Sequence, residues 1–239
     1  MKSAPSPKTI LAVGAHPDDI DIGCSGSISK WIKKGAKAYY LVLTDGSKGS
    51  EDPKISHQKL TKLRHAEQKK SANLIGVSRV FFLDFVDGEL ENTLKLRQKI
   101  VKIIRKIKPT TVICFDPTLV YDGQRQFINH PDHRVCGQAT LDAVFPYARN
   151  IRSFPELLTE GLEPHSVQEV LLINFQKQNF YVDITSNMDL KMAAIGCHQS
   201  QFPQMEKFQQ RIKAFAQTYG IKAKPKAKYA EGFFKITLR

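Results

Sequence analysis

The stretch over residues 9–26, TILAVGAHPDDIDIGCSG, constrains what this chain can fold into more than any other. Residues 9–14 are a short apolar run with β-branched side chains, the pattern of a strand buried in a parallel sheet. The run breaks off at Ala15-His16-Pro17-Asp18-Asp19, where an imidazole and two adjacent carboxylates have no packing reason to be. Gly23 and Gly26 allow close backbone approach, and Ile28, Trp31 and Ile32 give the next segment a helical apolar face that ends at Gly35. Strand, polar elbow and helix within about 25 residues make the first turn of an α/β unit. Open α/β sheets bind ligands beyond the carboxyl ends of their strands, which is where His16, Asp18 and Asp19 would lie.

The alternation continues along the chain. Residues 36–44 read as a second strand, 47–56 as a polar loop, and 57–75 as a helix stopped by Gly76. A third strand over 77–83 leads to an acidic loop with Asp84, Asp87 and Glu89. A helix over 92–108 is ended by Pro109, and a fourth strand over 110–115 runs into a long polar loop. Residues 132–147 have helical spacing, whereas the pattern fails between 148 and 166. Strands over 169–174 and 180–184 follow, then a helix capped by Asn187 and a last helix over 203–219. Residues 232–238 have strand character and are expected to return to an edge of the fold. These elements predict one α/β domain over residues 9–239, a largely parallel Rossmann-like sheet flanked by helices, behind a flexible tail over residues 1–8.

Composition narrows the class. A chain of 239 residues buries a full core as one domain, and no apolar run approaches the roughly 20 residues of a membrane span. The basic opening MKSAPSPK leads to no long apolar region, so it reads as a frayed tail rather than a signal peptide. Cys24, Cys114, Cys136 and Cys197 form no CxxC pair and are read as reduced thiols of a cytoplasmic protein. The net charge of +13 is spread over helix faces, as in Lys95, Arg97, Lys99, Lys102, Arg105, Lys106 and Lys108. The dense run Lys222, Lys224, Lys226 and Lys228 has no aromatic residue until Tyr229, so no specific nucleic-acid partner is expected.

Two motifs echo each other, Ala15-His16-Pro17-Asp18-Asp19 after strand one and Asn129-His130-Pro131-Asp132-His133 after strand four. Both fall at carboxyl ends of parallel strands and can converge. Two imidazoles and a carboxylate with an open position are a catalytic zinc arrangement, and the candidates are His16, Asp19 and His133. The structural alternative is that the histidines satisfy carbonyls while Asp18, Asp19 or Asp132 cap helices. If a metal sits there, Asp18 can accept a proton from water, and His130, if protonated, can donate to a carbonyl oxygen as negative charge develops. Hydrolysis follows, and spacing alone does not separate an amide from an ester or a phosphate ester. The first loop lacks the GxGxxG of a nicotinamide enzyme, no serine sits on a GxSxG elbow, and the carboxylates of a two-metal phosphoesterase are not obvious. Two rivals remain: a metal-dependent esterase or other amidase on the same fold, and a basic module that binds nucleic acid or an acidic partner without catalysis.

The chain resembles the PIG-L/LmbE-like family of zinc-dependent N-deacetylases, through AHPDD at 15–19 and NHPDHR at 129–134. Further matches are TDG at 44–46, the pair Arg64 and Glu67, VDIT at 182–185, HQSQ at 198–201 and AEGF at 230–233. The resemblance implies metal ligands His16, Asp19 and His133, a general base at Asp18, and stabilisation of the tetrahedral intermediate by His130. It implies an enzyme for linear, non-peptide amides that removes the acetyl group of an N-acetylglucosamine unit in a small sugar or glycoconjugate. Residues 116–133 and 139–149 look most like archaeal and bacterial members acting on N-acetylglucosamine or its disaccharide. Zn2+ is the expected cofactor, with Fe2+ or Co2+ able to use the same donors. Oligomeric state stays open, a homo-oligomer included.

Candidate substrate contacts are Arg64, Asp87, Tyr121, Arg125 and His198, each set against a structural role. Arg64 and Glu67 also have the spacing of an intrahelical ion pair, the role favoured for Glu67. His57, His65 and His165 lack a functional context, and Met188, Met192 and Met205 read as core filler.

Overall fold

The computed structural model describes residues 6–239. Strands β1 (Thr9–Gly14), β2 (Lys37–Thr44), β3 (Arg79–Phe85) and β4 (Thr111–Phe115) alternate with helices α1 (Asp19–Lys33), α2 (His57–Ile75) and α3 (Leu94–Ile107). A short ladder of β5 (Tyr121–Asp122) and β6 (Phe127–Ile128) precedes α4 (Pro131–Asp142) and the single turn α5 (Glu156–Thr159). Then come β7 (Glu169–Ile173), β8 (Phe180–Asp183), α6 (Met188–Ile195), α7 (Met205–Lys222) and β9 (Ala230–Thr237).

Among the described residues, seven strands form one sheet in the order β3-β2-β1-β4-β7-β9-β8. Ladders β3-β2, β2-β1, β1-β4 and β4-β7 are parallel, while β9 runs antiparallel to both of its neighbours. This is the single-domain α/β fold with a largely parallel sheet that the alternation predicts. Winding proceeds outward from β1 to β3 and then returns to lay β4 on the other side of β1. The sheet therefore has its topological switch point between β1 and β4, and both histidine motifs follow those two strands.

Helices cover the sheet because their sequences carry one apolar stripe. On α3, Leu96, Ile100 and Ile104 are fully buried, each contributing about 1.5–3 kcal/mol relative to exposure. Thr93 Oγ1 caps its first turn by accepting the Leu96 N–H at 3.2 Å. Gly23 and Gly26 make the close approach expected of them: an added Cβ would lie 2.6 Å from Ile173 Cδ1 at the first and 2.8 Å from Ile184 Cδ1 at the second. Glycines here let α1 settle onto the sheet beside β7.

Several expectations are corrected. The third strand begins at Arg79, because the Gly76 and Val77 N–H groups return to Ala72 O and finish α2. The helix expected over 132–147 leaves regular α geometry after Asp142. Phe145 is extended (φ −143°, ψ 125°), in keeping with the restriction Pro146 places on the residue before it. Asn187 does not cap α6 with its side chain; its Nδ2 donates to Ser29 Oγ at 2.9 Å. The late strand is not at an edge, since β9 lies between β7 and β8. Residues 1–5 of the expected tail lie outside the described residues, and Lys8 is already tied to the sheet through Lys37 N–H and Thr110 Oγ1. Among the described residues no helix is long and apolar enough to cross a membrane.

Candidate metal centre

The elbow after β1 delivers its side chains through an unusual backbone. Asp18, the residue preceding α1, has φ 114° and makes no side-chain capping bond. Its N–H donates to Gln68 Oε1 at 3.0 Å, and Arg64, donating to Pro17 O (2.9 Å) and Asp18 Oδ2 (3.3 Å), pins the elbow from the other side. A non-glycine residue at positive φ costs about 1–3 kcal/mol, and these buried bonds hold it there. Asp19 Oδ2 accepts the His16 N–H at 2.7 Å. The capping role weighed for the Asp18 side chain is therefore absent.

The second motif meets the first across the switch point. Ring centroids of His16 lie 4.7 Å from His130 and 5.3 Å from His133, and Phe115 stacks on His133 at 4.2 Å. His133 Nε2 is 3.1 Å from Asp19 Oδ1, and His16 Nδ1 is 3.5 Å from Asp19 Oδ2. His16, Asp19 and His133 offer ligand atoms that all lie within 4.8 Å of one another; His16, His130 and Asp132 form an overlapping set.

Neighbouring groups set the tautomers. Asn129 Nδ2 donates to Leu119 O at 2.8 Å, which turns Oδ1 toward His133 Nδ1 at 3.1 Å and leaves Nε2 as the His133 nitrogen that faces Asp19. His16 Nε2 faces Asp87 Oδ1 at 3.1 Å and Asp132 Oδ2 at 3.2 Å, which frees Nδ1 for ligation once a cation replaces its proton. Asp132 also accepts the N–H groups of Gly88 (2.8 Å) and Leu90 (3.3 Å), so it ties the loop after β3 to the site rather than capping α4. The cap of α4 is His130, whose Nδ1 accepts the Asp132 N–H at 3.2 Å and so keeps the proton on Nε2.

Electrostatics agree with a cation site. Burial alone would lower the His16 pKa, but hydrogen bonds to Asp132, Asp19 and Asp87 raise it to about 12, so in the metal-free protein the imidazolium stands where positive charge is wanted. Burial opposes ionisation of Asp19, yet His133 and His16 hold it well below the usual carboxylate range. Burial, joined by the charge of Asp19 and opposed by Arg64, lifts Asp18 to about 6. Burial and the His16 charge lower the His130 pKa, and with its Nδ1 accepting the Asp132 N–H the ring presents Nε2 to the site. The donor set, two tautomer-fixed imidazoles and a carboxylate backed by further carboxylates, fits a divalent ion.

The centre opens into a cleft of about 930 Å³ that also exposes Lys48, Arg64, Asp87 and Arg125. Of the expected substrate contacts, Arg64 and Asp87 reach the cleft but are committed, Arg64 to Gly46 O, Pro17 O and Asp18, Asp87 to His16 and the Lys48 N–H. Arg125 is on the wall, held by Asp122 at 2.7 Å and Phe175 O at 2.9 Å. Tyr121 is 66% exposed and outside the cleft, because the β5–β6 ladder turns it to solvent. His198 is fully buried behind α1, where its Nε2 meets Asp21 Oδ2 at 2.8 Å. The Arg64–Glu67 pair does not form; Glu67 accepts the Ser200 N–H and Oγ–H instead. Asn129, Asp132, Gln68 and Asp21 were not foreseen in these roles, and only Asn129, one helical turn before His133, carried a spacing signal.

The family described as PIG-L, GlcNAc-PI de-N-acetylase, matches residues 11–144. The chain is similar to a diacetylchitobiose deacetylase of Thermococcus kodakarensis, 39% identical over 228 residues that cover 94% of this chain and 82% of that one. Among solved structures it is similar to the N,N'-diacetylchitobiose deacetylase of Pyrococcus horikoshii, with TM-score 0.88, 35% identity and coverage of 97% and 84%. It is also similar to the conserved protein TT1542 of Thermus thermophilus, with TM-score 0.77, 25% identity and coverage of 94% and 93%. With both signature motifs facing each other across β1 and β4, the chain belongs to the PIG-L family.

Proposed function

We propose that the chain is a metal-dependent hydrolase that removes the acetyl group from an N-acetylglucosamine unit of a small sugar or glycoside. His16 Nδ1, Asp19 and His133 Nε2 hold the ion, for which zinc suits the donors and iron or cobalt can compete. A divalent ion there supplies Lewis acidity to the attacked carbonyl and to the attacking water. The observation that carries the reading is the pair of fixed tautomers: Asn129 sets one on His133, and the Asp132 N–H sets the other on His130.

The surrounding residues then have defined tasks. Asp18 takes a proton from water as the oxygen attacks the acetamide carbon. His130 Nε2–H donates to the oxygen that gains negative charge. Asp18 returns its proton to the sugar nitrogen as the C–N bond breaks, giving a free amine and acetate. Arg64 and Gln68 hold Asp18 in place, and Asp132 orients His16. The names of the relatives, which are deacetylases of N-acetylglucosamine compounds, support an acetamide over an ester.

Acetate release tests this on N-acetylglucosamine, N,N'-diacetylchitobiose, and inositol-linked and malate-linked N-acetylglucosaminides, before and after chelation and zinc restoration. Metal-dependent acetate from one or more of them is expected. No acetate from the whole panel by protein shown to hold zinc overturns the reading and turns attention to esters.

A further inference from the structure

Beyond the candidate metal centre the cleft continues beneath α7, and its character changes there. Phe208, Ile212, Phe215 and Tyr219 recur on one helix face and all line the cleft. Phe208 and Ile212 are half-buried and Phe215 is 37% exposed, so packing on the sheet leaves much of this stripe uncovered. Phe202 stacks on Phe208 at 4.0 Å and Phe175 meets Phe127 edge-on at 6.1 Å, which extends the apolar lining.

Of the polar groups along this arm, the buried Tyr219 hydroxyl has no partner among the described residues, while Lys191, Glu231, Asn174 and Arg125 are already engaged. Lys191 Nζ donates to Glu231 Oε1 (2.6 Å) and to the carbonyls of Asp21 (3.1 Å) and Ile22 (2.6 Å). Glu231 in turn accepts the N–H groups of Gly26 (3.0 Å) and Ser27 (2.7 Å). Asn174 donates to Asp116 and accepts from the N–H groups of Gln176 and Lys177, and Arg125 is held by Asp122 and Phe175 O. A second sugar ring brings hydroxyls that need partners when desolvated, whereas an apolar group needs only area.

Resting on the deacetylase reading, we propose that this arm binds an alkyl or aryl group carried by the sugar whose amide is cut. Two positions on the sugar can carry such a group: the anomeric oxygen, or the acyl chain on the hydrolysed nitrogen. The arm is continuous with the metal centre, so the group enters it while the amide sits at Asp18 and His130. Burial of each methylene then raises kcat/KM by up to about fourfold.

The test uses zinc-loaded protein and three substrate sets: methyl, butyl and hexyl β-glycosides of N-acetylglucosamine; N-acetyl, N-butyryl and N-hexanoyl glucosamine; and N,N'-diacetylchitobiose. The expected result is a rise of at least about tenfold in kcat/KM along one of the first two series. Which series rises identifies the carrier position, and Ile212→Asp or Phe215→Ala should flatten it. A flat response in both series while any of these sugars is deacetylated overturns the apolar arm and leaves the deacetylase reading standing. A preference for the disaccharide over the hexyl glycoside also overturns it. Calorimetric titration with hexyl β-glucoside, which has no amide, separates the two readings. Binding that methyl β-glucoside does not match, and that Ile212→Asp abolishes in a protein of unchanged thermal melt, supports the arm even without hydrolysis. No binding of the hexyl probe overturns it.

Discussion

Replacing Gln68 by methionine probes how the elbow holds Asp18. Gln68 is fully buried; its Oε1 accepts the Asp18 N–H at 3.0 Å and its Nε2 donates to Asp21 Oδ2 at 2.8 Å. Methionine fills similar space and makes neither bond. The orphaned Asp18 N–H costs about 1–3 kcal/mol and the bond to Asp21 about 1 kcal/mol more. At about 2 °C per kcal/mol for a chain of this size, Gln68→Met should melt about 4–8 °C lower. Activity should suffer separately. Without Gln68 the backbone at φ 114° can relax, and the strain of about 1–3 kcal/mol that favours relaxation corresponds to a kcat loss of about 5- to 150-fold. Among the described residues the Gln68 side chain bonds to Asp18 and Asp21 and not to His16, Asp19 or His133, so bound zinc, counted by plasma emission, should remain stoichiometric. A variant that holds zinc and keeps kcat within about threefold of the parent would refute the idea that Gln68 sets the Asp18 geometry.

Replacing Asp18 by alanine should leave zinc bound while acetate release collapses, whereas His133→Ala should lose the metal itself; zinc lost from the first variant moves Asp18 into the ligand set. Lys191→Met leaves the buried Glu231 carboxylate without its cation and should cost about 3–5 kcal/mol in urea melts, and a loss below about 1 kcal/mol contradicts that account. Burial against Phe82, with Lys69 adding to it and Asp84 opposing, lowers the His65 pKa below its ordinary 6.5. The unfolded chain therefore binds this proton first on acidification, and His65 makes the fold lose stability as pH falls below 6.5. His65→Gln should flatten the dependence of unfolding free energy between about pH 5 and 7, and an unchanged slope rejects the assignment.

Much of this architecture was legible because burial writes itself into residue type. Strands covered on both faces, such as residues 10–13 and 112–115, are continuous apolar runs, and Gly76 and Pro109 mark helix ends. The two histidine motifs were legible because polar residues interrupt such runs at strand ends. The place of β9 was not, since an apolar pattern says a strand is buried and nothing about its neighbours. Gln68 looks like any polar residue on a helix, and only the fold shows that its face abuts the elbow. Arg64 and Glu67 have intrahelical spacing, but each finds a buried partner across the fold that desolvation makes more demanding. Tyr121 and His198 failed as pocket residues for opposite reasons, one turned outward and the other sealed in, and residue type records neither.

The placement of β9 has a bearing on how the protein is made. The strand is threaded between β7 and β8, and its Glu231 grips the N–H groups of Gly26 and Ser27, some two hundred residues earlier. Until the ribosome has released β9, a nascent chain can wind β1 to β4 and bring the histidine motifs together, while β7 shows an open edge and α1 lacks its anchor. Such an edge invites pairing with other chains. Assembly of the chemical groups would thus precede closure of the floor beneath them, and slowing translation late in the message should raise aggregation far more than slowing it early.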